Sequence, residues 1–279
     1  MTPDNEENSN LPSNKSWCIN NKRVLVIPDI HQKLDWALAI IEKERGNYDY
    51  IVFLGDFFDS FDEPPKVASV AATAFFIKEI LEGKYGPNTI IFANHDCAYA
   101  EAAHSFVNQR LPTHLVHPCP GYTNAKGRSI SAVLSLDQWR QFQLFVVANG
   151  YLITHAGLRS AYWRPYRSDE ENLDALQKEY EEHLALVHLK PSHIFANETG
   201  PLWSRPEGFK DELPLPQIFG HTFCGYGHAL KIGRSSCIDG CQSTYALIAP
   251  GGNVEIKAID NKTNQEMLAH INVKSSKNY

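Results

Sequence analysis

The sequence has no apolar run of the ~18 residues that a membrane span needs, which argues against an integral membrane protein. It has no Cys-x-x-Cys pair, and its six cysteines show no compact framework, so we interpret them as reduced thiols. The first 21 residues contain no apolar signal core. Together, these absences predict a cytoplasmic protein with no membrane partner.

Positive charge is not in excess, because 26 lysines and arginines stand against 32 acidic residues, giving a net charge of −6. A protein that binds nucleic acid through its phosphates needs a basic surface, so no stable nucleic-acid partner is expected. A small phosphorylated substrate remains compatible with this balance, since bound metal ions reverse the local field.

The length of 279 residues suits one large domain, which we place at residues 22–260. Residues 1–21 are rich in Asn, Ser, Pro and Glu, and they are predicted to form a disordered lead-in. Residues 261–279 are polar and rich in Lys and Asn, as expected of a loose tail.

Short apolar runs that end abruptly in polar residues recur along the chain. Such runs are typical of buried strands, and apolar residues at helical spacing within 34–44 predict that the first two runs form a parallel strand–helix–strand unit. Functional sites form beyond the carboxyl ends of such strands, so the following side chains are expected to converge. These are Asp29 and His31 after 24–27, Asp56 and Asp59 after 51–54, Asn94, His95 and Asp96 after 89–93, His155 after 151–154, and His221 after 217–220.

Further helices are predicted over residues 66–82, 98–109, 137–145 and 168–189, and the last begins with a capping box of Ser168 and Glu171. His183 and His188 lie on this last helix at a spacing that does not share a face, so we interpret them as surface or core residues. Residues 111–135 are predicted to be mostly loop. Four strands between residues 229 and 259 are expected to form an antiparallel meander.

The ordered motifs Asp29-x-His31, Gly55-Asp56-x-x-Asp59, Asn94-His95-Asp96, His155 and Gly220-His221 resemble those of the calcineurin-like metallophosphoesterase superfamily. The resemblance covers residues 23–258 and implies an α/β fold, a four-layer α/β/β/α sandwich. It also implies two divalent metal ions, Mn by preference, with Fe or Zn as alternatives. Asp29 and His31 would hold the first ion, Asn94, His155 and His221 the second, and Asp56 would bridge them.

The same resemblance implies a phosphoester hydrolase in which a metal-bridging hydroxide attacks phosphorus. His95 directly follows the ligand Asn94 and would protonate the leaving group, since the pKa of histidine suits a general acid. Asp59 would orient His95. Asp96 is the less favoured partner of His95, or a support for the loop.

The chain departs from the family pattern at several positions, and these departures indicate which branch of the superfamily it resembles. Many members of the family end this motif with Gly-His-x-His, but here Gly220-His221-Thr222 is followed by Phe223 instead of the second histidine. This resembles the phosphoprotein-phosphatase branch, including bacterial and phage serine/threonine phosphatases. Gln32 and Ala93 stand where members usually have glycine.

A further departure follows Asp59, where Ser60 replaces an arginine that normally grips phosphate in the family. Arg159 and Arg205 are the favoured candidates to replace it, and Arg164 is a third.

We therefore predict a phosphatase for phosphoproteins or small phosphomonoesters. A dinucleoside polyphosphate hydrolase is the first alternative, because Gly-His-Thr and Ile238-Asp239-Gly240-Cys241 also resemble diadenosine tetraphosphatases. A cyclic-nucleotide or nucleic-acid phosphodiesterase is the least favoured of the three enzyme activities, because the missing second histidine argues against it. A non-catalytic binding protein that kept the fold is the alternative that the missing arginine favours. The oligomeric state stays open.

Overall fold

The computed structural model describes residues 15–60, 62 and 68–259. The strands are β1 (Cys18–Ile19), β2 (Val24–Ile27), β3 (Tyr50–Phe53), β4 (Asn88–Ile90), β5 (Phe145–Ala148), β6 (Tyr151–Thr154), β7 (Gln217–Phe219), β8 (Leu230–Ile232), β9 (Ser235–Cys237), β10 (Thr244–Ile248) and β11 (Val254–Ala258). The α-helices are α1 (Leu34–Lys43), α2 (Val70–Leu81), α3 (Asn94–Val107), α4 (Asn124–Ser131), α5 (Leu136–Trp139), α6 (Asp169–Ala185) and α7 (His193–Ala196). Short 3₁₀ turns span Ser160–Tyr162 and Pro206–Gly208.

The strands form two mixed sheets. The five-stranded sheet has the order β11-β10-β2-β3-β4, and the six-stranded sheet has the order β1-β5-β6-β7-β9-β8. Strands β2, β3 and β4 are parallel, as the strand–helix–strand prediction requires. Strands β6, β7 and β9 are parallel in the other sheet.

The two sheets pack face to face, with helices on their outer faces. Because side chains alternate along a strand, Val24 and Val26 of β2 and Val146 of β5 point into one apolar cluster between the sheets. Leu25 of β2 and Phe145 of β5 instead join the cluster formed with the helices. This arrangement confirms the predicted four-layer α/β/β/α sandwich. In the described part of the chain, no helix has the length and apolar character to cross a membrane.

Part of the predicted lead-in is structured. Residues 15–21 belong to the fold, because β1 pairs in parallel with β5 and Trp17 is buried in the core. The indole N–H of Trp17 also donates to Asp174 at 3.1 Å. The few apolar residues of this segment lie among polar ones, so the sequence pattern did not indicate strand β1. The rest of the predicted lead-in, residues 1–14, and the predicted tail, 261–279, lie outside the described residues.

Two helices differ from the prediction in the central part of the chain. Helix α3 begins at Asn94, so the Asn94-His95-Asp96 segment is the first helical turn and not a loop. Helix α4 lies within the stretch predicted to be loop, and its N-cap Thr123 accepts the N–H of Lys126. The capping box of Ser168 and Glu171 on α6 is present as predicted.

The predicted terminal meander is wrong in its pairing. Strands β8 and β9 form an antiparallel hairpin in the six-stranded sheet, whereas β10 and β11 form a second hairpin in the five-stranded sheet. The alternation of residues identified these strands but does not specify their partners. As a result, the loop between β9 and β10 crosses from one sheet to the other beside the strand ends.

Candidate metal centre

The polar side chains that follow the strands meet in two groups that share one member. Asp29, His31 and Asp56 form the first group, and Asp56, His155 and His221 form the second. Within each group, one potential ligand atom of every residue lies within 4.8 Å of the others. Asp29 and Asp56 follow β2 and β3 of one sheet, whereas His155 and His221 follow β6 and β7 of the other. The site therefore lies where the two sheets meet.

Asp56 is common to both groups. Its Oδ2 lies 3.8 Å from Nε2 of His31 and 3.6 Å from Nε2 of His155, while its Oδ1 accepts the backbone N–H of His95 at 3.1 Å. Burial alone would raise the pKa of this carboxyl, but electrostatic interaction with the imidazoles of His155, His95 and His31 outweighs burial and lowers the pKa well below its usual range. An ionised carboxylate between two ligand groups can bridge two cations.

The imidazoles of His31 and His155 are each held by one ring nitrogen. Nδ1 of His31 lies 3.0 Å from the carbonyl oxygen of Phe58, and Nδ1 of His155 lies 2.8 Å from that of Leu54. Because a carbonyl oxygen only accepts, each Nδ1 carries the proton and each Nε2 presents a lone pair. This arrangement is typical of histidines that bind a metal ion through Nε2.

Acceptor atoms crowd together around His155. Its Nε2 lies 2.8 Å from Oδ1 of Asn94 and 3.1 Å from Nδ1 of His221. Burial lowers the pKa of His155 and of His221, so both imidazoles are neutral at pH 7. Because Nε2 of His155 and Oδ1 of Asn94 both accept, they repel each other at 2.8 Å unless a proton or a cation lies between them. Nδ1 of His221 donates or accepts according to its tautomer. This set of nitrogen and oxygen donors fits a divalent ion of the Mn, Fe or Zn type.

Negative charge is concentrated at the first group. The carboxylate of Asp29 accepts the backbone N–H of His221 at 2.9 and 3.0 Å. Burial raises the pKa of Asp29, and the charges of Asp239 and Asp56 raise it further. A bound cation would relieve this repulsion, which is a second reason why the residues fit a metal ion.

The loops that carry the ligands are conformationally strained. Half of the ten non-glycine residues with positive φ in the described chain lie in these loops, among them His31 (43°), Asp56 (48°), Asp59 (61°) and His221 (69°). Such conformations are disfavoured for residues other than glycine and cluster at functional sites. Gly220 permits the close approach of Asp29, because a Cβ at this position would overlap with Oδ1 of the carboxylate.

Beside the ligand groups, His95 is paired with Asp59. Nδ1 of His95 lies 3.1 Å from Oδ2 of Asp59, whose Oδ1 accepts from the Tyr99 hydroxyl and the Lys126 ammonium, both at 2.7 Å. Burial lowers the pKa of His95, but the charge of Asp56 and the hydrogen bond to Asp59 outweigh it and raise the pKa to about 11. His95 therefore carries its proton at neutral pH, as a general acid must.

Asp96 holds the loop after β3. Its Oδ2 accepts the backbone N–H of Asp56 at 3.0 Å, and its Oδ1 accepts that of Phe57 at 3.3 Å. Asp96 is therefore a support for the loop, the second of the two roles expected for it.

Gln32 replaces the expected glycine and adopts the left-handed conformation that glycine favours, with a φ of 63°. Its side-chain amide donates to the carbonyl of Ala68 at 2.6 Å and accepts the N–H of Ser60 at 3.2 Å. Two of the departures from the family pattern, Gln32 and Ser60, are thus in direct contact.

The two arginines proposed as substitutes occupy different positions. Nη1 of Arg205 lies 3.2 Å from the carbonyl oxygen of His221 and 3.2 Å from Oγ1 of Thr222, next to the ligand groups. Arg159 instead contacts Oγ of Ser204 at 2.7 Å, so it supports the segment that carries Arg205.

Sequence reasoning did not single out Lys126, Tyr99 or Asp239 as site residues. Lys126 lies in a stretch predicted to be loop, and the sequence carried no signal for its contact with Asp59. Asp239 stands in the Ile238-Asp239-Gly240-Cys241 motif, which indicates the branch of the family but does not by itself indicate a site residue. Its position directly after a strand matches that of the other acidic residues and could have identified it.

A sequence profile described as calcineurin-like phosphoesterase matches residues 22–222. The chain therefore belongs to this family and is a phosphoester-hydrolysing enzyme, as the motif resemblance implied. No curated protein sequence matches the chain significantly.

Solved structures of a cold-active protein tyrosine phosphatase are similar in fold. One has a TM-score of 0.58 and 16% identity and covers 87% of this chain and 80% of its own. A second, from a psychrophilic Shewanella species, has a TM-score of 0.58 and 16% identity and covers 87% of this chain and 82% of its own.

We expect Gly220→Ala to reduce metal binding, because the added Cβ displaces the carboxylate of Asp29. Gly251→Ala is the matched control, since nothing lies within 4 Å of a Cβ built there. The measurement is the Mn content per chain after reconstitution and gel filtration. Equal Mn content in Gly220→Ala and Gly251→Ala would contradict the placement of Asp29 in the centre.

Proposed function

We propose that this enzyme is a phosphatase with two divalent metal ions, Mn by preference, that acts on phosphoproteins or small phosphomonoesters. The observation that carries the proposal is Asp56, which stands between two ligand groups while its Oδ1 accepts the backbone N–H of His95. One ion would be held by Asp29 and His31, and the other by Asn94, His155 and His221. Asp56 would bind both ions. We also propose a cytoplasmic location, since the six cysteines are free.

When bound, two such ions supply Lewis-acid stabilisation of the phosphoryl group and hydroxide at neutral pH. The protein residues supply the proton for the leaving group. Nδ1 of His95 faces Asp59, so the proton for the leaving oxygen comes from Nε2. Asp59 fixes the ring orientation and stabilises the imidazolium through its contact at 3.1 Å. Bound cations would offset the charge of Asp56 and so bring the pKa of His95 down towards neutrality.

Lys126 supplies positive charge where the expected arginine is absent. Its ammonium lies 2.7 Å from Oδ1 of Asp59 and 2.8 Å from the carbonyl oxygen of Gly121, and the side chain is 31% exposed. It can therefore reach solvent beside the His95–Asp59 pair. We assign it two roles, which are to hold Asp59 and to attract the substrate phosphate. Arg205, beside His221, would contribute a second positive charge.

A dinucleoside polyphosphate hydrolase is the alternative within the family. Thr222 after His221 and the motif that carries Asp239 favour it. A polyphosphate substrate would require cations beyond the metal ions, and Arg205 and Lys126 are two such cations near the centre. Assays with a phosphopeptide and with diadenosine tetraphosphate therefore distinguish the phosphatase from the dinucleoside polyphosphate hydrolase.

The Mn-loaded protein is expected to release phosphate from a phosphopeptide, and His95→Ala is expected to lose turnover by about 10²–10⁴-fold. His228→Ala, an exposed histidine, is the control. The measurement is the initial rate, with Mn content determined for each variant. Unchanged turnover in Mn-loaded His95→Ala would exclude the general-acid role.

The same Mn-loaded wild type is also offered diadenosine tetraphosphate. Cleavage of this dinucleotide alone would favour the dinucleoside polyphosphate hydrolase. No hydrolysis of either substrate by the Mn-loaded wild type would favour the binding-protein hypothesis.

We expect Lys126→Met to lower kcat/KM by about ten- to hundredfold, as for the loss of a charged hydrogen bond. Lys126→Arg should retain most of the activity because it keeps the charge. Arg128→Gln is the matched control on α4, since its guanidinium lies over Phe106 instead. If Lys126→Met behaved like Arg128→Gln in steady-state assays with the phosphopeptide, Lys126 would have no role in catalysis or binding.

A further inference from the structure

A third group of metal-ligand side chains lies away from the centre, at the contact between α6 and α7. It consists of Glu179 and His183 on α6 and His193 at the start of α7. Glu179 and His183 are four residues apart and share one face of α6. None of the three residues takes part in the centre described above.

The group is compact. One potential ligand atom from each residue lies within 4.8 Å of the other two, and Nε2 of His193 lies 2.8 Å from Oε1 of Glu179. The imidazole rings of His183 and His193 stand edge to face, with centroids 5.1 Å apart. Ligand bonds of about 2.0–2.2 Å around a tetrahedral zinc ion place ligand atoms roughly 3.3 Å apart. Rotation of the side chains alone can provide this adjustment.

The two imidazoles are fixed by neighbouring groups, as is usual for histidines that bind metals. Nδ1 of His183 contacts Oγ of Ser192, the residue that caps α7. The ring of His193 stacks on Tyr162 with centroids 5.9 Å apart, and the Tyr162 hydroxyl donates to the carbonyl of His193 at 2.9 Å. Both rings are therefore oriented before any ion binds.

The charges of the group also suit a cation. Glu179 supplies a carboxylate. Two imidazoles and one carboxylate form a common protein ligand set for zinc, with solvent completing the coordination.

We propose that Glu179, His183 and His193 form a binding site for a third divalent ion of the zinc type, separate from the dinuclear centre. The ion connects α6 to α7 and so stabilises the segment that runs from α7 to Trp203. Trp203 packs edge to face on His221, with centroids 5.9 Å apart. The site therefore has a structural role, and it does not depend on the proposed function.

The test counts zinc in the full-length protein. Metal-free wild type, His193→Ala and Glu179→Gln are equilibrated with Zn²⁺, passed through gel filtration and analysed for Zn per chain. The matched control is Glu182→Gln, an exposed carboxylate on the same helix that is not among the three ligands and whose Oε1 lies 3.9 Å from Nζ of Lys178. Glu179 and His193 are themselves 40% and 49% exposed, so both substitutions are compatible with folding.

We expect the wild type and Glu182→Gln to bind one more Zn²⁺ per chain than either His193→Ala or Glu179→Gln. Equal zinc content in all four proteins would overturn the proposal and leave Glu179 and His193 as a surface ion pair. Because the comparison is a difference between variants, failure of the dinuclear centre to bind zinc would lower all four values equally. The outcome for the third site is therefore separate from that for the centre.

Discussion

The site depends on the position of one carboxylate, that of Asp56. Its Oδ2 faces His31 and His155, while its Oδ1 accepts the N–H of His95 in the first turn of α3. Asp96 in turn holds the backbone of Asp56. Both candidate ligand groups and His95, the proposed general acid, are therefore positioned relative to the same side chain. Under the proposed function, a displacement of Asp56 would disturb metal binding and proton transfer together.

The sandwich makes this convergence possible, because the ligands come from both sheets. Asp29, Asp56 and Asn94 follow strands of the five-stranded sheet, whereas His155 and His221 follow strands of the six-stranded sheet. The two sets meet only when the apolar cluster between the sheets has formed. The strained loops around the ligands are thus stabilised by the burial of apolar side chains elsewhere in the sandwich.

The candidate ligands could be picked out from the sequence because each one follows an apolar strand, and both features are local. The sequence could not predict that Lys126 contacts Asp59, since 67 residues separate them and the contact depends on how α4 packs. The separation of the terminal strands into two sheets was missed because alternation identifies a strand but not its partner. The β1 strand was missed because Trp17 and Ile19 lie in a polar stretch. Its stability comes from pairing with β5, which local sequence does not reveal.

The most direct test of this account is the low-temperature EPR spectrum of the protein loaded with two equivalents of Mn²⁺. If Asp56 bridges two ions, the spectrum will be the multiline signal of an exchange-coupled pair, and Asp56→Asn will weaken or abolish the coupling. A spectrum of isolated Mn²⁺ ions in the wild type would contradict the shared carboxylate, and with it the dinuclear centre.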